Sequence, residues 1–103
     1  MIVMKFGGSS VESAAAIERV AGIVKARAAR RPVVVVSAMG KTTNKLLALA
    51  AAAIRGKREE YIRQLHDLRD FHSRQARLVV PLEHRAELDR TLDEHFQELS
   101  PSW

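Results

Sequence analysis

The sequence predicts an α/β fold, a βαβ unit with parallel strands followed by about three helices, and three stretches carry that expectation. Ile2 to Phe6 is a short apolar run of β-branched and aromatic types, broken only by Lys5, that stops at Gly7-Gly8. Val33 to Val36 is a second run, four consecutive valines after Arg30-Arg31-Pro32. Beyond residue 42 the apolar residues fall at helical spacing almost to the end of the chain.

Each element has a local reason. Ser9 or Ser10 can cap a helix after the glycine turn. Ile17, Val20, Ala21 and Val24 follow the i, i+3, i+4, i+7 pattern, which predicts a helix from Val11 to about Arg30, weakened slightly by Gly22. The basic pair Arg30-Arg31 suits the carboxyl end of that helix, and Pro32 blocks its continuation. Val33 to Val36 reads as a strand buried on both faces of a parallel sheet. Strand, helix and strand within about 35 residues make a right-handed βαβ unit whose strands end at one edge.

Thr43 or Asn44 can cap the next helix, with a stripe at Leu46, Leu47, Ala50 and Ile54 and Gly56 at its C′ position. Arg58 to about Arg77 carries Tyr61, Leu65, Leu68 and His72 on one stripe, widened by Ile62 and Phe71. Val79-Val80-Pro81 interrupts, and Leu88, Leu92, Phe96 and Leu99 mark a last helix from about Leu82 to Leu99. There is no internal repeat and no low-complexity segment.

The 103 residues make one domain or part of one, with 47% hydrophobic and 28% charged residues, which are globular proportions. Seventeen Lys and Arg against twelve Asp and Glu give a net charge of +5, which suits anionic partners. The basic residues are spread along helical patterns with few aromatics between them, so solvated helix faces explain them better than a nucleic-acid surface. The chain has no cysteine, which excludes disulfides, a thiol nucleophile and cysteine metal sites. No apolar run approaches the roughly 18 residues of a membrane span, and the first residues enter a strand with no signal-peptide pattern, so a cytoplasmic protein without membrane partners is expected.

The chemistry concentrates at the shared sheet edge, where ligands of open α/β sheets collect. A Gly7-Gly8-Ser9 turn with free backbone N–H groups and Lys5 beside it is suited to holding a phosphate. On these residues alone, an ordinary βα turn with a solvated lysine accounts for it equally well. The turn from Ser37 to Thr43 should lie alongside. Ser37 can simply end the strand and Thr43 simply cap a helix, and Lys41 is equally a surface charge. Gly40-Lys41-Thr42 looks like the end of a phosphate-wrapping P-loop, but that pattern requires glycine where Val35 stands inside the strand. His66 and Asp70 lie one helical turn apart with no third ligand at matching spacing, so no metal site is assigned. Glu59-Glu60 and the acids of the last helix read as solvated faces.

Lys5-Phe6-Gly7-Gly8-Ser9-Ser10-Val11, taken with Val33-Val34-Val35-Val36-Ser37-Ala38-Met39-Gly40-Lys41-Thr42-Thr43-Asn44, resembles the opening of aspartate kinases, in the amino acid kinase family. The two motifs stand in the family's order and about one βαβ unit apart, which makes the joint match far more specific than either half. Acetylglutamate, glutamate 5-, carbamate and uridylate kinases share the lysine and a glycine in this turn but not the rest.

The resemblance implies the front part of an amino acid kinase fold, with 1–44 bearing the phosphate and substrate turns and 45–99 a helical region. It implies that Lys5 is catalytic and bridges the ATP phosphates, that Gly7, Gly8 and Ser9 donate backbone N–H groups to them, and that Ser37, Gly40 and Thr43 form the substrate turn. The implied reaction moves the γ-phosphate of ATP, with Mg2+, to L-aspartate, giving 4-phospho-L-aspartate on the route to lysine, threonine and methionine. No Mg2+ ligand is identified in this chain.

Later family segments are missing: a Gly-Glu segment, an aspartate and an arginine near the transferred phosphate, the adenine lobe and the ACT domains. The chain therefore reads as an amino-terminal piece, inactive alone and prone to self-associate as a homo-oligomer. A stand-alone nucleotide or anion-binding module that uses the same turns without catalysis is the alternative.

Overall fold

The computed structural model describes all residues from Met1 to Trp103. It is mixed α/β, with two parallel strands and four α-helices, as the sequence predicts. The chain divides into two compact units, Met1–Lys41 and Thr42–Trp103.

In the first unit, β1 (Ile2–Phe6) pairs in parallel with β2 (Pro32–Val36), in a register that sets Lys5 opposite Val35 and Phe6 opposite Val36. Ile2, Met4 and Phe6 are half-buried while Val3 and Lys5 are exposed, so β1 turns alternate residues to opposite faces. Phe6 faces Ala16 and Val20 of α1 (Ala14–Ala26) across a cavity of about 250 Å³. Val11, Ala14, Ala16 and Val20 form the buried core of this unit.

Two expectations are corrected here. The α-helix does not begin at Val11: Gly8–Val11 is a single turn of 3-10 helix, and Ser13 caps α1, its Oγ accepting from the Ala16 N–H at 3.4 Å. Neither Ser9 nor Ser10 is the cap, because both lie inside the 3-10 turn. At the other end α1 stops at Ala26, and a second 3-10 turn, Ala28–Arg30, leads to Arg31 at φ 52. Pro32 disfavours the helical conformation at the residue before it, and Arg31 answers by going left-handed.

The valines of β2 are not buried on both faces; all four are exposed, Val36 by 58%. A two-stranded sheet with one helix provides too little cover for a strand of this composition. The expectation came from hydrophobic run length, which reports what a strand can bury and not what is present to bury it.

The second unit is a helical assembly of α2 (Thr42–Ile54), α3 (Arg58–Arg77) and α4 (Arg85–Glu98), the last preceded by a 3-10 turn at Leu82–His84. Gly56, at φ 68, closes α2 with a Schellman motif: the Lys57 N–H donates to the Ala52 carbonyl and the Gly56 N–H to that of Ala53, each at 3.0 Å. Leu49, Leu65 and Leu68 form the core, with Tyr61 and Phe96 packed against it. The stripe expected on α2 is corrected as well. Leu46, Leu47 and Ile54 are exposed, and Thr42, Leu49 and Ala52 are buried instead. The helix is apolar nearly all round, so its periodicity does not choose a face; the face that is buried carries Thr42, Leu49 and Ala52.

α3 carries Glu59 and Glu60 in its first turn and Arg74 and Arg77 in its last, complementing the helix dipole. Arg69 pairs with Asp93, and Arg77 with Asp89 at 2.6 Å, so α3 and α4 run antiparallel. The hydrogen bond to Asp93 raises the Arg69 guanidinium above its ordinary pKa, with burial opposing and the charges of Asp93, Asp70 and Asp89 assisting. The Tyr61 hydroxyl donates to the Leu99 carbonyl at 2.5 Å, closing the far end of the pair.

Candidate functional site

Two turns leave the same edge of the sheet, because parallel strands joined by α1 must end on the same side. The Ser37 N–H donates to the Phe6 carbonyl at 3.0 Å, extending the ladder one residue past β2. That bond brings Ser37 against Gly7: a Cβ built on Gly7 would lie 3.5 Å from Ser37 Oγ. The glycine turn and the beginning of the Ser37–Lys41 turn are therefore neighbours within one compact unit.

The two glycines of the first turn do different work. Gly7 is extended, at φ −152, and its missing side chain leaves space beside the Ser37 hydroxyl. Gly8, at φ 56, occupies the left-handed region that costs other residues about 1–2 kcal/mol. The Ser10 N–H donates to the Gly7 carbonyl at 3.2 Å, which is the first bond of the turn. The Gly8 and Ser9 N–H groups precede it and are left without an acceptor inside the turn. With α1 beginning only at Ala14, these individual donors, and not a long helix dipole, make the turn attractive to an anion.

Lys5 stands two residues before the glycines on the open face of the sheet, exposed and outside every ion pair of the chain. Its ammonium is thus free for an external anion. Glu12 is the first acidic residue of the chain, so the turn itself holds no competing carboxylate. Ser9 and Ser10 also line the cavity between Phe6 and α1.

In the second turn Ser37 and Gly40 are exposed, and Gly40 takes φ 61. Thr43 is exposed in the first turn of α2 and belongs to the second unit. Its neighbour Thr42, which the sequence reading passed over, is the buried hydroxyl, 8% exposed. Two adjacent threonines after a glycine turn give no periodic signal to tell which one points inward. The structure thus groups Lys5, Gly7, Gly8, Ser9, Ser37 and Gly40 in one unit and leaves Thr43 in the other.

The comparisons with known proteins bear on the same residues. The model of the amino acid kinase family matches residues 1–94. Aspartokinase 2, chloroplastic, of Arabidopsis thaliana is 47% identical over 76 residues, covering 72% of this chain and 14% of that protein. Aspartokinase 3, chloroplastic, of the same plant is 40% identical over 98 residues, covering 87% and 17%. The Corynebacterium glutamicum aspartokinase is 54% identical over 54 residues, covering 50% and 13%. The chain spans between 9% and 17% of the length of the plant relatives it matches. With a family match that runs through both turns and most of the helical unit, the chain belongs to the amino acid kinase family.

Proposed function

We propose that this chain supplies the phosphate and substrate turns of an aspartate kinase, which transfers the γ-phosphate of ATP to the side-chain carboxylate of L-aspartate to give 4-phospho-L-aspartate. The observation that carries the reading is the Ser37 hydroxyl beside Gly7, which sets a substrate-type turn against a phosphate-type turn. The names of the relatives support the choice of reaction. The finer assignments follow the same reading: residues 1–44 as the turn-bearing part, 45–99 as a helical region, a cytoplasmic setting, and a place in lysine, threonine and methionine biosynthesis.

Phosphoryl transfer requires little covalent chemistry from the protein and depends on positioning and on neutralising charge. In this reading Lys5 bridges the ATP phosphates and offsets the negative charge that develops during transfer. Gly8 and Ser9 donate their free N–H groups to phosphate oxygens, and Gly7 keeps the approach open. Such preorganised donors act at the place where charge develops, which is where they lower a barrier most. Ser37 donates its hydroxyl to the aspartate carboxylate, and Gly40 keeps the second turn open. ATP phosphates fit the donors present. Mg2+ does not find a site in these residues, since no three His, Cys, Asp or Glu side chains come together, and no step is assigned to it.

The deciding measurement is calorimetric titration of the 103-residue chain and its Lys5→Ala variant with ATP and magnesium. The expected outcome is binding that weakens at least tenfold in the variant. Equal binding by both proteins would remove Lys5 from the phosphate site and the reading with it. Turnover is expected only in the longer protein, so aspartate-dependent ADP release by the chain alone should match that of Lys5→Ala.

A further inference from the structure

The register of the two strands fixes what surrounds Lys5. β1 and β2 pair Val3 with Val33 and Lys5 with Val35, and residues paired in a parallel ladder sit at the same point of the pleat, so they project from the same face. Ile2, Met4 and Phe6 turn to the other face, where Phe6 meets α1. Val3, Lys5, Val33 and Val35 therefore share the face that α1 leaves open, and the three valines are 71%, 46% and 47% exposed.

The alternation continues past the strand ends. Gly7 is extended, at φ −152 and ψ 177, and the Ser37 N–H carries the ladder on to the Phe6 carbonyl. A Cβ built on Gly7 would lie 3.5 Å from Ser37 Oγ, so both positions belong to the same face as Lys5. Two columns result: Val3, Lys5 and Gly7 on β1, and Val33, Val35 and Ser37 beside them.

Lys5 is the one charged residue in these columns. Behind it stands Val3. Beside it stands Val35, its only cross-strand neighbour, because β1 has no strand on its other side. Ahead of it is a residue with no side chain and, diagonally, a hydroxyl. A lysine lays its methylene stem along apolar surface and keeps its ammonium where it can be hydrated or bonded. Valine is suited to be that surface, since its branched side chain is stiff about χ1. On this face the stem thus has one lateral wall, Val35, and the ammonium has one polar direction, forward over Gly7.

We propose that Val35 is a positioning residue for Lys5: its branched side chain supports the lysine stem, Val3 blocks the backward course, and the bare Gly7 opens the forward one, so that the ammonium is aimed at a phosphate on the Gly8 and Ser9 N–H groups. A stem already held loses less rotamer freedom when an anion binds, which raises affinity without a new contact. The aim at a phosphate rests on the kinase reading; the support of the stem does not.

The test is a double-mutant cycle read by calorimetric titration with ATP and magnesium, joined to a measurement without nucleotide. Val35→Ala should weaken binding about threefold while Lys5 is present and cause no further loss in the Lys5→Ala chain. Val35→Thr, which keeps the branched shape, should bind as the parent does. Equal losses from Val35→Ala in both backgrounds, or a Val35→Thr chain as weak as Val35→Ala, would overturn the proposal. In the free chain, ¹³C relaxation should give the Lys5 methylenes higher order parameters than those of Lys25, an exposed lysine in the last turn of α1, and Val35→Ala should erase the difference. A Lys5 stem as mobile as that of Lys25 in the parent chain would also overturn it. Where a variant fails to fold or to bind measurably, this relaxation decides. Unchanged binding in Lys5→Ala would instead remove the phosphate reading, and with it the aim, while the relaxation still reports whether Val35 supports the stem.

Discussion

Ser37 Oγ lies 3.5 Å from the position a Cβ on Gly7 would occupy, so the two turns of the first unit touch through one hydroxyl and one missing side chain. A methyl group at that distance makes ordinary van der Waals contact, and the extended backbone of Gly7 suits any residue. Gly7→Ala should therefore fold with a stability within about 0.5 kcal/mol of the parent. It should still lose several-fold in ATP affinity, because the methyl narrows the approach of a phosphate to the Gly8 and Ser9 N–H groups. Thermal melting and calorimetry on the same sample separate the two effects, and an equal loss in both would mean that Gly7 serves the fold alone.

Gly8 answers to a different constraint. A Cβ there meets open space, so crowding is no obstacle, but φ 56 is unfavourable for any other residue. Gly8→Ala should destabilise the first unit by about 1–2 kcal/mol through backbone strain. Hydrogen exchange of the β1 and β2 amides reads this directly, and unchanged protection would show that the turn can relax.

What was legible in the sequence follows from which forces are local. The strands, the glycine turn, the three later helices and the Gly56 stop are each written in a few consecutive residues, through β-branched runs, φ-permissive positions and helical spacing. The adjacency of the two turns was legible too, because βαβ handedness leaves no other place for them. The start of α1 was not, since Ser9, Ser10 and Ser13 are all competent caps and only the 3-10 turn decides among them. Burial was misread at Val33 to Val36 and at Leu46, Leu47 and Ile54 for one shared reason: an apolar residue records a capacity to be covered, and the partner that covers it is not local.

The helical unit rests on a small core, and Leu68, 2% exposed, is its most buried large residue. Leu68→Ala should cost about 2–5 kcal/mol, read as a lower midpoint in the helical circular dichroism melt. Asp89→Asn, which breaks a partly exposed ion pair to Arg77, should cost under about 1 kcal/mol. If the aspartate change proved the larger, packing would not be what holds α3 and α4.

The Arg69 guanidinium is raised by its hydrogen bond to Asp93. A raised folded-state pKa contributes stability that is complete below the unfolded value and is lost only as pH rises through the folded one. For a guanidinium that window lies above about pH 12, so Arg69 contributes no change in stability between about pH 5 and 9. A melting midpoint for Arg69→Ala that converged on the parent's within that neutral range would contradict the assignment.

β2 pairs with β1 on one side only, and its four valines are exposed. Within the strand no charge interrupts them; Arg31 and Lys41 stand outside it at either end. An unpaired edge of this composition is a template for another strand, and natural sheets blunt such edges with lysine or proline. Here Pro32 blunts the first position alone. The chain should therefore self-associate at high concentration, with sedimentation velocity showing species heavier than the monomer. Val34→Lys, which sets a charge at the middle of the edge strand, should shift the distribution towards monomer, whereas Leu47→Lys on exposed α2 should do so only if the helical face takes part. A parent chain that stays monomeric would show that the edge is protected by something other than pairing, and a Val34→Lys variant that associates as before would move the contact away from β2.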